Sequence, residues 1–278
     1  MTEFLLDNLL LLPFLFVTYL VLEMLEARAE GALERGLGRT RRFGPLFGAL
    51  AGVFPQCGFS AAAASLYAGG AITAGTLVAV FLSTSDELIP VLISEKVPLL
   101  LLCKIVAVKV VAGVAVGFAV NAVLKMLGKG GVQLRVDELC AHSRCSCKER
   151  KGVLVPALVH TAEIFVFILI ISGAVELTLH FVGEDGLRNL ILNKPWAGEA
   201  IAGLLGFIPN CAVSVSGAQI YLKAGMSSGA LMAMSLTGSG VGLLVLFRTN
   251  RHWSANLAIL AVLYVTGVVF GRLAGFLI

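Results

Sequence analysis

The sequence predicts an all-α integral membrane protein made of two inverted-topology repeats, whose broken or re-entrant helices meet near the bilayer midplane. Three observations predict this. The 278 residues are 58% hydrophobic and only 14% charged, whereas soluble domains run at about 45–50% apolar and about 25% charged, so several membrane spans are expected. Pairing Pro55 with Pro209 sets an offset of 154 that holds without a gap from Gly44 and Gly198 to the C-terminus. Each half also holds an apolar segment that breaks around a cysteine: VFPQCGFS at residues 53–60 and FIPNCAVS at residues 207–214.

The repeat rests on uncommon residues. The offset pairs Cys57 with Cys211, Ser60 with Ser214, Tyr67 with Tyr221, Gly75 with Gly229, Gly113 with Gly267 and Gly117 with Gly271. Chance similarity between apolar segments would pair Leu and Val instead, and a long internal period decides the fold class. Each half opens with a long apolar helix, over residues 4–25 and 153–179. The interrupted segments follow, over 44–71 and 198–225. Two further apolar helices close each half, over 76–93 and 98–124, and over 230–247 and 253–278. The start, MTEFLLDNLLLLPFLF, lacks a basic leading region and carries Glu3 and Asp7, so it is not read as a cleaved signal peptide.

A span needs about 20 apolar residues, and residues 44–54 are too few. The interrupted segment is then either a re-entrant hairpin with Pro-Gln-Cys at its tip or two short tilted spans, giving ten segments in all. Both options send each half across the membrane an odd number of times, so the halves are inverted relative to each other. The domain organisation expected is a first transmembrane repeat over 1–124, a cytosolic Cys/His-containing loop over 125–152 and a second repeat over 153–278. Inversion gathers Arg28, Arg35, Arg39, Arg41, Arg42, most basic residues of 125–152, Arg248 and Arg251 on one side. Lys96, Arg188, Lys194 and Lys223 fall on the other, with Lys104, Lys109 and Arg272 nearer the helices. The first side is expected to be cytoplasmic and both termini outside. These basic loops serve topology and lipid headgroups, and nucleic acid is not expected as a partner.

Irregular backbone inside a bilayer is tolerated only where protein or a water-filled cavity covers it, and inverted-repeat transporters bind substrate there. Cys57 and Cys211 stand just before helices expected near Gly58 and Ala212. A helix N-terminus stabilises negative charge, and a thiol placed there tends toward thiolate. Gln56, Asn210, Ser60, Ser214 and Ser216 add oxygen ligands or hydrogen-bond donors. Thiolates suit soft or borderline metals, and oxygen ligands suit harder ones such as manganese. As plain packing residues the two cysteines would be inert. LSTSDELIP at residues 82–90 breaks a helix and carries Asp86 and Glu87, while its counterpart LTGSGVGLL at 236–244 breaks without an acid. Intramembrane carboxylates are ion ligands or proton relays; at a membrane end the same pair would cap a helix. His160 and Glu163 lie three apart, on one helix face, and suit a metal, a proton or a structural hydrogen bond. Glu23, Glu26 and Glu176 lie toward helix ends and read as interfacial.

Between the halves, Cys140, His142, Cys145 and Cys147 fall within eight positions. Such a tract suggests metal capture or sensing; an incidental Cys content in a solvated loop is the alternative. The spacing is not that of a structural zinc site. The six cysteines form no extracellular disulfide framework. No P-loop, kinase constellation or nucleophile–base–acid set is present, so direct ATP drive and enzymatic catalysis are not expected, and no resident cofactor is.

FPQCG, IPNCA, the Cys/His-rich central loop and HTAEIFVFI after it give a chain that resembles the ten-transmembrane heavy-metal exporters, also labelled arsenic efflux proteins or manganese transporters. The resemblance covers nearly the whole chain, and the two Pro-x-Cys breaks and the His-Thr element are its specific parts. It implies a multi-pass inner-membrane exporter of a metal or metalloid. The expectation is therefore a secondary transporter that exports a metal cation, with protons as a candidate counter-ion. Cys57, Cys211, Gln56 and Asn210 would form the centre. Asp86 and Glu87 would bind the cation or carry protons. The alternative is a metalloid or oxyanion transporter, for arsenite or a sulfur species, using the two helix N-termini. A third is a membrane thiol-redox protein whose two cysteines come within disulfide reach. The bilayer and the metal ion are the expected partners, and the sequence leaves a homo-oligomer open.

Overall fold

In the computed structural model, the described residues are 33–53, 57–84, 88–128, 195–209, 211–224 and 226–276, with single helical positions between 13 and 20 and between 154 and 170. Every labelled element is a helix. In chain order they are α1 (Leu33–Gly52), α2 (Cys57–Ala68), α3 (Ala74–Ser83), α4 (Leu88–Ser94) and α5 (Leu99–Met126). The second series is α6 (Pro195–Leu205), α7 (Cys211–Ala224), α8 (Ser228–Thr237), α9 (Gly242–Thr249) and α10 (Trp253–Ala274).

Local chemistry sets the ends of these helices, and it does so at matched positions. Thr73 caps α3 by accepting from the Thr76 N–H at 3.1 Å. Ser227, its counterpart at the 154 offset, caps α8 by accepting from the Ala230 N–H at 3.1 Å. Such caps satisfy backbone donors that the first turn leaves unpaired. α3 stops at Ser83 with Thr84 as its C-cap, and α8 stops at Thr237 with the equivalent Gly238 as its C-cap. The last hydroxyls fold back on the helix: Ser83 Oγ donates to the Ala79 carbonyl at 2.8 Å, and Thr237 Oγ1 to the equivalent Ala233 carbonyl at 3.0 Å. This is how polar side chains are accommodated inside apolar helices.

Among the described residues, three segments are long and apolar enough to cross a membrane: Leu99–Met126, Ser228–Thr249 and Trp253–Ala274. The 28 residues of α5 extend about 42 Å at 1.5 Å per residue, beyond the roughly 30 Å hydrocarbon core. α1 differs from expectation. It begins at Leu33, inside the stretch 27–43 that the sequence assigned to a basic loop. Leu, Glu and Arg are good helix formers, so the helix continues past the apolar stretch, which runs only from Phe43 to Gly52.

In each half three helices pack together, α1, α3 and α5 in the first and α6, α8 and α10 in the second. α3 and α8 are the core of the bundle, with Leu77, Phe81, Leu82, Leu231, Met232 and Leu236 fully buried. α5 and α10 turn apolar residues outward, among them Leu99, Val111, Val123, Leu257 and Val265. Each inner face carries two buried glycines, Gly113 and Gly117 on α5 and Gly267 and Gly271 on α10. A Cβ on Gly117 would lie 2.6 Å from the Gly75 carbonyl, and one on the equivalent Gly271 would lie 2.8 Å from the Gly229 carbonyl. Within a bilayer, where lipid is as apolar as leucine, this close backbone approach is what holds helices together.

Candidate functional site

Cys57 and Cys211 are the first helical residues of α2 and α7, one position earlier than the helix starts expected near Gly58 and Ala212. α1 and α6 end just upstream, at Gly52 and Leu205, and Phe207–Pro209 form the turn that leads toward α7. Each cysteine thus heads a helix at its positive dipole end. The orientation of the two thiols lies outside the described residues, as do Gln56, Asn210, Asp86, Glu87, His160 and Glu163. So do the loop residues Cys140, His142, Cys145 and Cys147. Ser60 is fully buried, and Ser214 and Ser216 are half-buried. Among the described residues no cluster of three or more His, Cys, Asp or Glu side chains occurs. Cys103 is a free thiol exposed on α5.

The cysteine helices cross between the halves. α2 of the first half packs against α9 of the second, and α7 of the second packs against α4 of the first. α9 begins directly after the break at residues 238–241, and α4 begins at Leu88, next in sequence after Asp86 and Glu87. The α2–α9 contact is intimate. A Cβ on Gly242, the first residue of α9, would lie 2.7 Å from both the carbonyl carbon and the Cβ of Ser60. Ser60 therefore sits against the second half's break, only three positions after Cys57. At that break Gly240 adopts φ 54, a left-handed conformation open to glycine.

Two charged groups that the sequence left in the background are buried. Lys109, 1% exposed, reaches from α5 to α8, where its ammonium donates to the Ser235 carbonyl at 2.8 Å and to Ser235 Oγ at 2.6 Å. Ser235 lies in the last turn of α8, so the ammonium meets the negative end of that helix. Glu199 on α6 is 3% exposed and accepts from Arg272 Nη1 of α10 at 3.1 Å. The signal for both was available: an ionisable residue within an apolar run is a functional candidate by default.

One protein-family model, described as "Putative, 10TM heavy-metal exporter", matches residues 10–185. This span is more than half of the chain and holds Cys57, Asp86, the central loop, His160 and Glu163. No curated protein and no solved structure matches.

Proposed function

From the premise that the chain belongs to the ten-transmembrane heavy-metal exporter family, we propose that it exports a divalent metal cation from the cytosol in exchange for protons. The reading divides the chain into inverted repeats over 1–124 and 153–278 joined by a cytosolic loop over 125–152. It puts both termini outside an inner membrane, and broken or re-entrant segments at the centre. The observation that carries it is the cross-docking: α2, headed by Cys57, packs on the helix that follows one break, and α7, headed by Cys211, packs on the helix that follows the other. This arrangement docks each cysteine-led helix on a helix of the other half, and one of those, α4, begins at Leu88, next in sequence after Asp86 and Glu87.

In this reading Cys57 and Cys211 bind the metal as thiolates, with Gln56, Asn210, Ser60 and Ser214 completing the shell. Asp86 and Glu87 offset the charge of a desolvated cation. His160 and Glu163 line the path as a secondary pair. Cys140, His142, Cys145 and Cys147 collect metal on the cytosolic side.

The test is flux in proteoliposomes, with manganese(II), zinc(II), cadmium(II) and arsenite offered one at a time. Cys57→Ser and Cys211→Ser should each slow metal flux, because serine leaves a weaker oxygen ligand. Asp86→Asn should abolish it in a protein that still folds. Wild-type rates from Asp86→Asn and from the double cysteine variant together would sink the proposal. Lys109 favours a second reading, transport of a metalloid or oxyanion, since a buried ammonium between the halves repels a cation and attracts an anion. Arsenite flux without metal flux, lost in Lys109→Met, would select that reading.

A further inference from the structure

Glu199 has a second oxygen. Oε1 is held by Arg272, but Oε2 is enclosed and has no hydrogen-bond partner among the described residues. Leaving a buried carboxylate oxygen unpaired is costly, so such an atom needs an explanation. The packing around it is tight. A Cβ on Gly229 would lie 3.0 Å from Glu199 Oε1 and 3.2 Å from the Gly271 carbonyl. The adjacent guanidinium would repel a metal ion at this carboxylate. A proton needs no space.

The charged surroundings are simple. α6 packs against α8 and α10. α8 carries no titratable residue, and α10 carries Arg272 and Tyr264, whose hydroxyl donates to the Ala200 carbonyl at 3.2 Å. Arg272 is thus the single charged group facing Glu199 among the described residues. Its side chain is 35% exposed, in the last turn of a candidate membrane span. The guanidinium also stands 5.2 Å from the Phe276 ring centroid. It has an outlet to solvent that Glu199 lacks. The pair belongs to one half alone, because the equivalent positions in the first half are Pro45 and Phe118.

We propose that Glu199 is the proton-carrying residue of the exchanger, an inference that rests on the proton-exchange reading above. A proton adds to the carboxylate to give the neutral acid, the ion pair with Arg272 dissolves, and the guanidinium keeps its charge and turns toward solvent. Loss of the proton restores the pair. The Glu199–Arg272 pair alternates between net charge zero and plus one, and one tie between α6 and α10 opens in the protonated state.

The full chain in proteoliposomes provides the test, with manganese(II) as probe. Two modes are compared: uptake driven by an imposed pH gradient, and manganese–manganese exchange at equal pH. Glu199→Gln, which mimics the protonated acid, should keep the exchange and lose the stimulation by the gradient. Arg272→Lys should keep both. A Glu199→Gln protein that still responds to the gradient overturns the proposal, and so does one that loses both modes, which would make the pair structural. A wild-type protein that moves manganese but ignores the gradient removes the exchange reading itself. A second readout needs no cargo. Infrared difference spectra between acid and alkaline pH should show a protonated carboxyl band in wild type that is missing from Glu199→Gln. An unchanged band in the variant overturns the proposal.

Discussion

Gly242→Ala tests whether the α2–α9 contact positions the cysteine helix. The added Cβ would lie 2.7 Å from the carbonyl carbon and the Cβ of Ser60, and 2.8 Å from its carbonyl oxygen. Carbon atoms pack best at about 3.5–4.0 Å, so the helices must part by about 1 Å. Two of the three opposing atoms are backbone, so no change of side-chain rotamer relieves the clash. Overpacking of this kind costs about 1–3 kcal/mol. Gly203→Ala on α6 is the control, because its nearest neighbours would be the Tyr264 ring and a Val268 methyl at 3.4 Å. That is ordinary contact, and a glycine replaced by alanine within a helix gains up to about 1 kcal/mol. Thermal unfolding of the purified protein in detergent should then rank the three proteins, with Gly203→Ala at or above wild type and Gly242→Ala below it. Metal flux should fall in Gly242→Ala, since the displaced helix begins at Cys57. Equal midpoints for the two variants, or normal flux from Gly242→Ala, would refute the reasoning.

Two more expectations follow. Gly52→Ala and Gly206→Ala should destabilise by similar amounts, about 1–3 kcal/mol each, because both new methyl groups meet a hydroxyl and a backbone carbonyl at matched positions: Ser83 and Val80 for one, Thr237 and Met234 for the other. The same unfolding assay measures this, and a large inequality would mean that the two halves pack differently around these glycines. In a Cys103→Ser background, a membrane-impermeant maleimide should miss Cys140, Cys145 and Cys147 in intact cells and reach them after permeabilisation; labelling before permeabilisation would reverse the orientation.

Much of the local design was legible because it depends on near-neighbour chemistry. The helix starts at Cys57 and Cys211 followed from Pro and polar residues interrupting apolar runs. The ends of α3 and α8 fall at Thr84 and Gly238, within the two stretches whose polar content marked them as breaks. The offset of 154 also proved informative about packing, as Gly117 and Gly271 approach equivalent carbonyls. What the sequence did not reveal was long-range. Lys109 meets Ser235 across 126 positions, and Glu199 meets Arg272 across 73. Periodicity says nothing of which distant helix receives a charge. Arg272 lies in the last turn of α10, and the sequence placed it only among the basic residues nearer the helices. The early start of α1 escaped for a different reason: apolar length measures what the membrane requires, whereas a helix extends as far as its residues allow.

The crossing of α2 onto α9 and of α7 onto α4 also constrains how the chain is made. Ser60 enters the bilayer with the first half, while Gly242, against which it packs, follows roughly 180 residues later. At typical elongation rates the ribosome needs about ten to thirty-five seconds to supply it. Throughout that interval α2 and α4 lack their partners from the second half, and the surfaces those partners will cover face lipid or whatever insertase holds them. A half made alone could satisfy both surfaces only by pairing with a second copy inserted the opposite way up, exchanging its cysteine helix for the copy's. The full chain then behaves as a tethered dimer of such halves, with the exchange built into one polypeptide.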